Sequence, residues 1–181
     1  MQMNKKLSAL ARAFRTDQFL KAKKLKAWAI FLVGVAVLLA LDLVLKSWAA
    51  ANLQGQAART LVPGFLGLTY TRNTGAAFGF LANAEWGRWV LTIVKIILMG
   101  GLIWFYHRLP LEKRFWLIRI PVILIFAGGV GNLFDRVMFG YVRDMLAFLF
   151  ANFPIFNLAD VYVVAGCLFG AFIMLFVVKD F

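Results

Sequence analysis

Four aspartates carry most of the chemical potential of this sequence: Asp42, Asp135, Asp144 and Asp160, the last three inside the stretch 128–160. Two carboxylates held close together in a poorly solvated place cannot both ionise easily, so one keeps a proton while the other stays charged. The charged member can deprotonate a water that attacks an amide carbonyl, and the protonated member can donate to the oxygen or the leaving nitrogen. Parts for other chemistries are missing. The single histidine, His107, and the single cysteine, Cys167, fall on opposite sides of the predicted membrane, so neither a Cys–His dyad nor a His-rich zinc site can be assembled. No metal and no cofactor is expected, and Cys167 reads as a packing residue.

The elements that position these acids are apolar. Of 181 residues 63% are hydrophobic and 15% charged, which lies outside the range of soluble domains and marks a membrane protein. The excess of 20 Lys and Arg over 8 Asp and Glu sits mostly outside the apolar runs, so it predicts orientation rather than a nucleic-acid partner. Four runs approach the length of a bilayer-spanning helix, about 27–45, 89–106, 115–134 and 158–178. Residues 1–26 form a basic tail with eight cationic side chains, ahead of a single domain over 27–181. Part of that tail can lie on anionic lipid, or it can be a disordered segment that only sets orientation. Basic residues gather in the tail, the turn 107–114 and the C-terminal end, which places both termini in the cytoplasm and the loops 46–88 and 135–157 outside.

Within the first outer loop, residues 66–72 alternate as a strand does and lead into the turn Asn73-Thr74-Gly75, so a small sheet is expected on the outer face. Trp28, Trp48, Trp86, Trp89, Trp104 and Tyr106 fall near span ends, as an interfacial aromatic belt would place them. Lys95, Arg119 and His107 are read as residues that reach the interface, and Pro121 as a bend in the third helix.

Orientation brings the acids to one depth. Asp42 lies in the last turn of the first span, Asp135 just past the third, and Asp160 in the first turn of the fourth; Asp144 can reach them from the loop between. Asp42 and Lys46 are spaced as a helical ion pair. Asn157 is placed as an N-cap, with Asp160 favoured by the helix dipole. Asp135 followed by Arg136 suggests a headgroup anchor. The physical reading favours Asp144 with Asp160 as the working pair only modestly, through the apolar segment 145–159 that can fold one toward the other.

At these residues the sequence resembles the lipoprotein (type II) signal peptidases. The motifs, in order, are Asp42 with Lys46, Asn73 to Gly79, Gly128-Gly129-Val130-Gly131-Asn132-Leu133-Phe134-Asp135-Arg136, Tyr141 to Asp144, and Phe156-Asn157-Leu158-Ala159-Asp160. The resemblance implies an all-α integral membrane bundle of four helices with a small β element and an interfacial segment on its outer face. It implies an aspartic endopeptidase of the bacterial inner membrane that removes signal peptides from diacylglyceryl-modified prolipoproteins, cutting just before the lipidated cysteine. Asp144 and Asp160 would be catalytic. Asn73, Gly75, Asn132, Arg136 and Asn157 would line the pocket, and Asp42, Lys46 and Asp135 would support it. Prolipoproteins and membrane lipids are the expected partners, nucleic acid is not, and a monomer is expected.

Two positions depart from the family pattern. Arg143 stands beside Asp144, where a cation would lower the carboxyl's pKa, and Met145 replaces a more usual Phe. A small proton- or cation-coupled transporter using Asp42, Asp135 and Asp160 is the alternative, disfavoured because the acids share one face and no interrupted repeats are visible.

Overall fold

The computed structural model describes residues 2–75 and 87–177. Ala76–Gly79, Trp86 and the C-terminal end from 178 onward, singled out above, lie outside the described residues. Helix α1 (Gln2–Asn52) leads to strands β1 (Arg59–Val62) and β2 (Leu66–Asn73), helix α2 (Gly87–Arg108), a short 3-10 turn (Lys113–Phe115), helix α3 (Arg119–Phe139), strand β3 (Val142–Phe148) and helix α4 (Leu158–Phe172). The last turn of α4 widens into a π-type segment, Ile173–Val177.

Among the described residues three helical stretches are long and apolar enough to cross a membrane: Thr16–Asn52, Lys113–Phe139 and Leu158–Val177. Their outer faces, and that of α2, carry large exposed apolar side chains such as Leu32, Val44, Ile97 and Leu168. In water that pattern would be costly; against hydrocarbon it costs nothing. Helix α1 runs unbroken through the basic segment and the predicted first span, 51 residues or about 76 Å along its axis.

The core forms where aromatic residues of α1, α2 and α3 meet. Phe31 lies 4.6 Å from the Tyr106 ring and 5.0 Å from that of Phe126. The Tyr106 hydroxyl donates to the Ala27 carbonyl at 2.6 Å, so Tyr106 is a buried link between α1 and α2 and not a member of an interfacial belt. Trp48, Trp89 and Trp104 are exposed, as a belt requires. Small residues let α3 and α4 approach closely. A Cβ on Gly128 would collide with the Ala159 carbonyl oxygen, and one on Gly166 would come within 2.7 Å of Ile125. The glycines of α3 therefore serve helix packing in part.

Helix α3 begins and ends later than its apolar run. It starts at Arg119, which puts Pro121 in the first turn, where its missing N–H leaves no gap in the ladder and no bend is needed. It ends at Gly140, whose φ of +81° is a left-handed C-cap, with its N–H bonded to the Arg136 carbonyl. Asp135 and Arg136 are consequently helical residues inside α3 and not part of a loop beyond it.

The expected strand is present as β2, in an antiparallel sheet of order β1-β2-β3. Of its other two members, β3 falls partly in the stretch from Met145 read only as an interfacial segment. The register sets Thr71 opposite Asp144 and Asn73 opposite Val142. An isolated bridge from Leu146 to Phe156 then turns the chain back toward α4. The sheet thus carries Asn73 and Asp144 to the end of the bundle where α3 presents Asn132 and α4 begins.

Candidate active site

Asn157 is the centre of the polar network. As N-cap of α4 it accepts the Asp160 N–H on Oδ1 at 3.0 Å, and Asp160 Oδ2 accepts the Asn157 N–H at 3.2 Å, a reciprocal capping box. Its amide nitrogen is left to donate elsewhere, to Asp144 Oδ1 at 2.6 Å and Asn132 Oδ1 at 3.0 Å. One residue therefore touches a carboxylate on β3 with its side chain and one on α4 with its backbone N–H.

Each carboxylate has a second amide. Asn73 Nδ2 donates to Asp144 Oδ2 at 2.9 Å, and Asn132 Nδ2 donates to Asp160 Oδ1 at 2.7 Å. The Asn73 carbonyl accepts the Gly75 N–H at 3.1 Å, so the predicted turn aims the amide at Asp144. Asn132 Oδ1 accepts from Lys46 Nζ at 3.0 Å. All three amides have both ends assigned by their partners, which fixes their orientation.

Behind them lies a compensated block of charge. Lys46 Nζ pairs with Asp42 Oδ2 at 2.8 Å, as the spacing predicted, and reaches Asp135 Oδ2 at 3.6 Å. Asp42 Oδ1 accepts the Ala159 N–H at 3.0 Å, tying α1 to the first turn of α4. Asp135 pairs with Arg143, not with its neighbour Arg136: Arg143 Nη2 lies 2.7 Å from Oδ1, and the Arg143 backbone N–H donates to Oδ2 at 2.9 Å. Successive strand residues point to opposite faces, so Arg143 turns to Asp135 while Asp144 turns to the amides. The expected lowering of the Asp144 pKa by Arg143 is overturned. Burial, reinforced by the charge of Asp160 and opposed by the hydrogen bonds from Asn73 and Asn157 and the charge of Lys46, pushes it up to about 6.

Asp160 faces a cavity of about 640 Å³ that Asn73, Lys95, Asn132 and Arg136 also line, with an apolar wall from Phe148, Phe153, Ile155, Val161 and Leu168. Asp144 is only 1% exposed. Arg136 Nη2 donates to the Gly75 carbonyl at 3.0 Å, while its Nη1 is buried and has no hydrogen-bond partner among the described residues. The Phe148, Phe150, Phe153 and Phe156 rings cluster over the loop between β3 and α4, and Phe65 stacks on Phe150 at 5.4 Å.

Every pocket or support residue expected from sequence among Asp42, Lys46, Asn73, Gly75, Asn132, Asp135, Arg136 and Asn157 belongs to this network. Lys95 was missed as a site residue. It lines the cavity, and a lone lysine within an apolar helix was the available signal.

Apolar helices around buried amides, with two carboxylates tied to one asparagine beside an apolar cavity, fit the class of membrane-embedded aspartic hydrolases. Residues 34–176 match the family described as signal peptidase (SPase) II, and the chain belongs to that family. A lipoprotein signal peptidase of Latilactobacillus sakei is 40% identical over 145 residues, 79% of this chain and 92% of the relative. One from Streptococcus pneumoniae is 40% identical over 142 residues, 78% of this chain and 90% of the relative. One from Pseudoalteromonas translucida is 35% identical over 81% of this chain and 90% of its own. Two solved structures described as a bacterial membrane enzyme share 26% identity over 84% of this chain, with TM-scores of 0.70 and 0.72, and are themselves covered to 90% and 95%. Family membership sets the transporter alternative aside.

Proposed function

We propose that Asp144 and Asp160 are the catalytic pair of an endopeptidase that removes the signal peptide from diacylglyceryl-modified prolipoproteins, cutting before the lipidated cysteine. The observation that carries this is Asn157, whose side-chain amide donates to the Asp144 carboxylate and whose backbone N–H donates to that of Asp160, so that one residue holds both. Asp144, whose burial raises its pKa to about 6, is the proton donor. Asp160, on the cavity wall, is the general base.

A water between them gives its proton to Asp160, and its oxygen bonds to the scissile carbonyl carbon. Asp144 gives its proton to the carbonyl oxygen. Collapse of the tetrahedral diol breaks the C–N bond, the leaving nitrogen takes up a proton from Asp160, and the acid product returns one to Asp144. Asn73, Asn132 and the Nη1 of Arg136, unpartnered among the described residues, are donors suited to an extended peptide, and the apolar wall suits acyl chains or a signal helix.

In this reading α2, 22 residues or about 33 Å long, is the fourth span. Both termini are cytoplasmic and the sheet faces outward, as the basic residues require. The protein acts as a monomer in the bacterial inner membrane. Purified protein is incubated with diacylglyceryl-modified precursor beside Asp144→Asn and Asp160→Asn. Cleavage should vanish in each variant while the protein stays folded, and wild-type cleavage in either would refute the pair.

A further inference from the structure

At the other end of the bundle a second polar site has no role in the network above. Arg119 opens α3, 13 residues and about 20 Å along the helix from Asn132. It is 2% exposed. Its Nη2 donates to the carbonyls of Leu109 and Pro110 at 3.1 and 3.0 Å, closing the C-terminus of α2. Its Nε is buried without a hydrogen-bond partner, and among the described residues no carboxylate pairs with it. Glu112, the acid of this turn, is taken by Arg114 at 3.1 Å. Nη1 reaches the Tyr106 carbonyl at 3.4 Å and the guanidinium lies over the Tyr106 and Trp116 rings at 4.8 and 5.2 Å, so carbonyls and ring faces hold the charge in place of an anion.

Arg119 lines a narrow cleft with Lys24, Trp28, Tyr106 and His107. The cleft shares Lys24 and His107 with an open cavity of about 490 Å³ that Arg108 and Trp104 also line. Lys24 of α1 and Arg108 of α2 therefore line one open cavity with no acid on its wall, and Lys24 also borders the cleft that holds Arg119 of α3. Lys24, His107 and Arg108 are exposed, as are the neighbouring apolar residues Leu25 and Trp104 at 74% and 63%. Cationic groups above an apolar and indole flank form a surface that accepts a headgroup and lets acyl chains continue along the helices.

We infer that the open cavity of about 490 Å³ binds the phosphate of an anionic glycerophospholipid, held by Lys24 and Arg108 beside the cleft that leads to Arg119. A free phosphate ion has the same headgroup chemistry but no use for the apolar flank.

The test uses the full chain in detergent micelles, following thermal unfolding during titration with phosphatidylglycerol, phosphatidylcholine or inorganic phosphate. Phosphatidylglycerol should raise the midpoint saturably, and the other two should leave it within error. Lys24→Gln/Arg108→Gln should weaken the phosphatidylglycerol effect by roughly 10- to 30-fold, the loss of two cations near a lipid surface. A charge-matched control, Lys21→Gln/Lys23→Gln on the same helix, should retain it. Equal responses in the two double variants would overturn the site, as would an equal response to phosphatidylcholine. An inorganic phosphate shift matching that of phosphatidylglycerol would overturn the lipid as the ligand.

Discussion

Substituting Asn157 separates the two duties of that residue. Asn157→Ala removes the α4 cap, about 1 kcal/mol, and an amide bond to a buried carboxylate, about 1.5–3 kcal/mol. The expected loss of stability is roughly 2.5–4 kcal/mol, a large part of a typical domain's 5–15. Asn157→Ser keeps a hydroxyl able to cap the Asp160 N–H but cannot reach Asp144, so it should lose only the second contribution. Both variants should cleave lipidated precursor on the order of 10²-fold more slowly, because Asp144 is no longer fixed to the residue that fixes Asp160. The pH profile carries a further sign. Burial raises the Asp144 pKa to about 6 and the Asn157 bond opposes that rise, so losing the bond moves it higher. Cleavage that needs the neutral acid falls as pH rises through this pKa, and the alkaline limb should move up by on the order of one unit in Asn157→Ser. Because the folded-state value exceeds the unfolded one, Asp144 favours the folded protein most at low pH, and that advantage fades as pH rises through about 6. The measurements are initial rates from pH 4 to 9 and thermal unfolding in detergent. Wild-type rates and an unshifted limb in Asn157→Ser would refute the assignment of Asn157 as the link between the carboxylates.

Three other substitutions are expected to act differently. Arg143→Met leaves Asp135 buried with Lys46 at 3.6 Å as its remaining charge partner and should cost about 3–5 kcal/mol; denaturation would show this, with the alkaline limb of cleavage unmoved. Gly128→Ala places a methyl against the Ala159 carbonyl and should cost about 1–3 kcal/mol through separation of α3 from α4, read as a lower unfolding midpoint. Lys95→Met removes a cation from the cavity wall beside Asp160; cleavage should fall roughly fivefold, about 1 kcal/mol of transition-state stabilisation, with the unfolding midpoint held or raised.

Sequence showed the two ends of this site more clearly than its middle. Asn157 and Asp160 were legible because a capping box is a local device, and Asp42 with Lys46 because four residues is one helical turn. Residues Met145 to Phe148 carried no signal that distinguishes a buried strand from an interfacial run, since pairing with β2 decides it and that pairing is non-local. The face chosen by Arg143 depends on the same pairing, so its partner could not be read from its position beside Asp144. Asp135 was placed outside α3 because hydrophobicity ends before the helix does; Gly140 marks the true stop. Lys95 was assigned to the interface by its distance from a span end, because the cavity it lines forms only once α2 packs against the other elements.

The block of Asp42, Lys46, Asp135 and Arg143 has a consequence for how this protein can change. The four side chains come from α1, α3 and β3 and sum to zero charge with almost no exposure. Losing any one strands a buried charge, whereas exchanging matched partners for apolar residues together need not. Substitutions there should accumulate only in coordinated pairs, each first step passing through a damaged protein, while Leu32, Val44 and Ile97 on the lipid-facing surface remain free to drift one at a time.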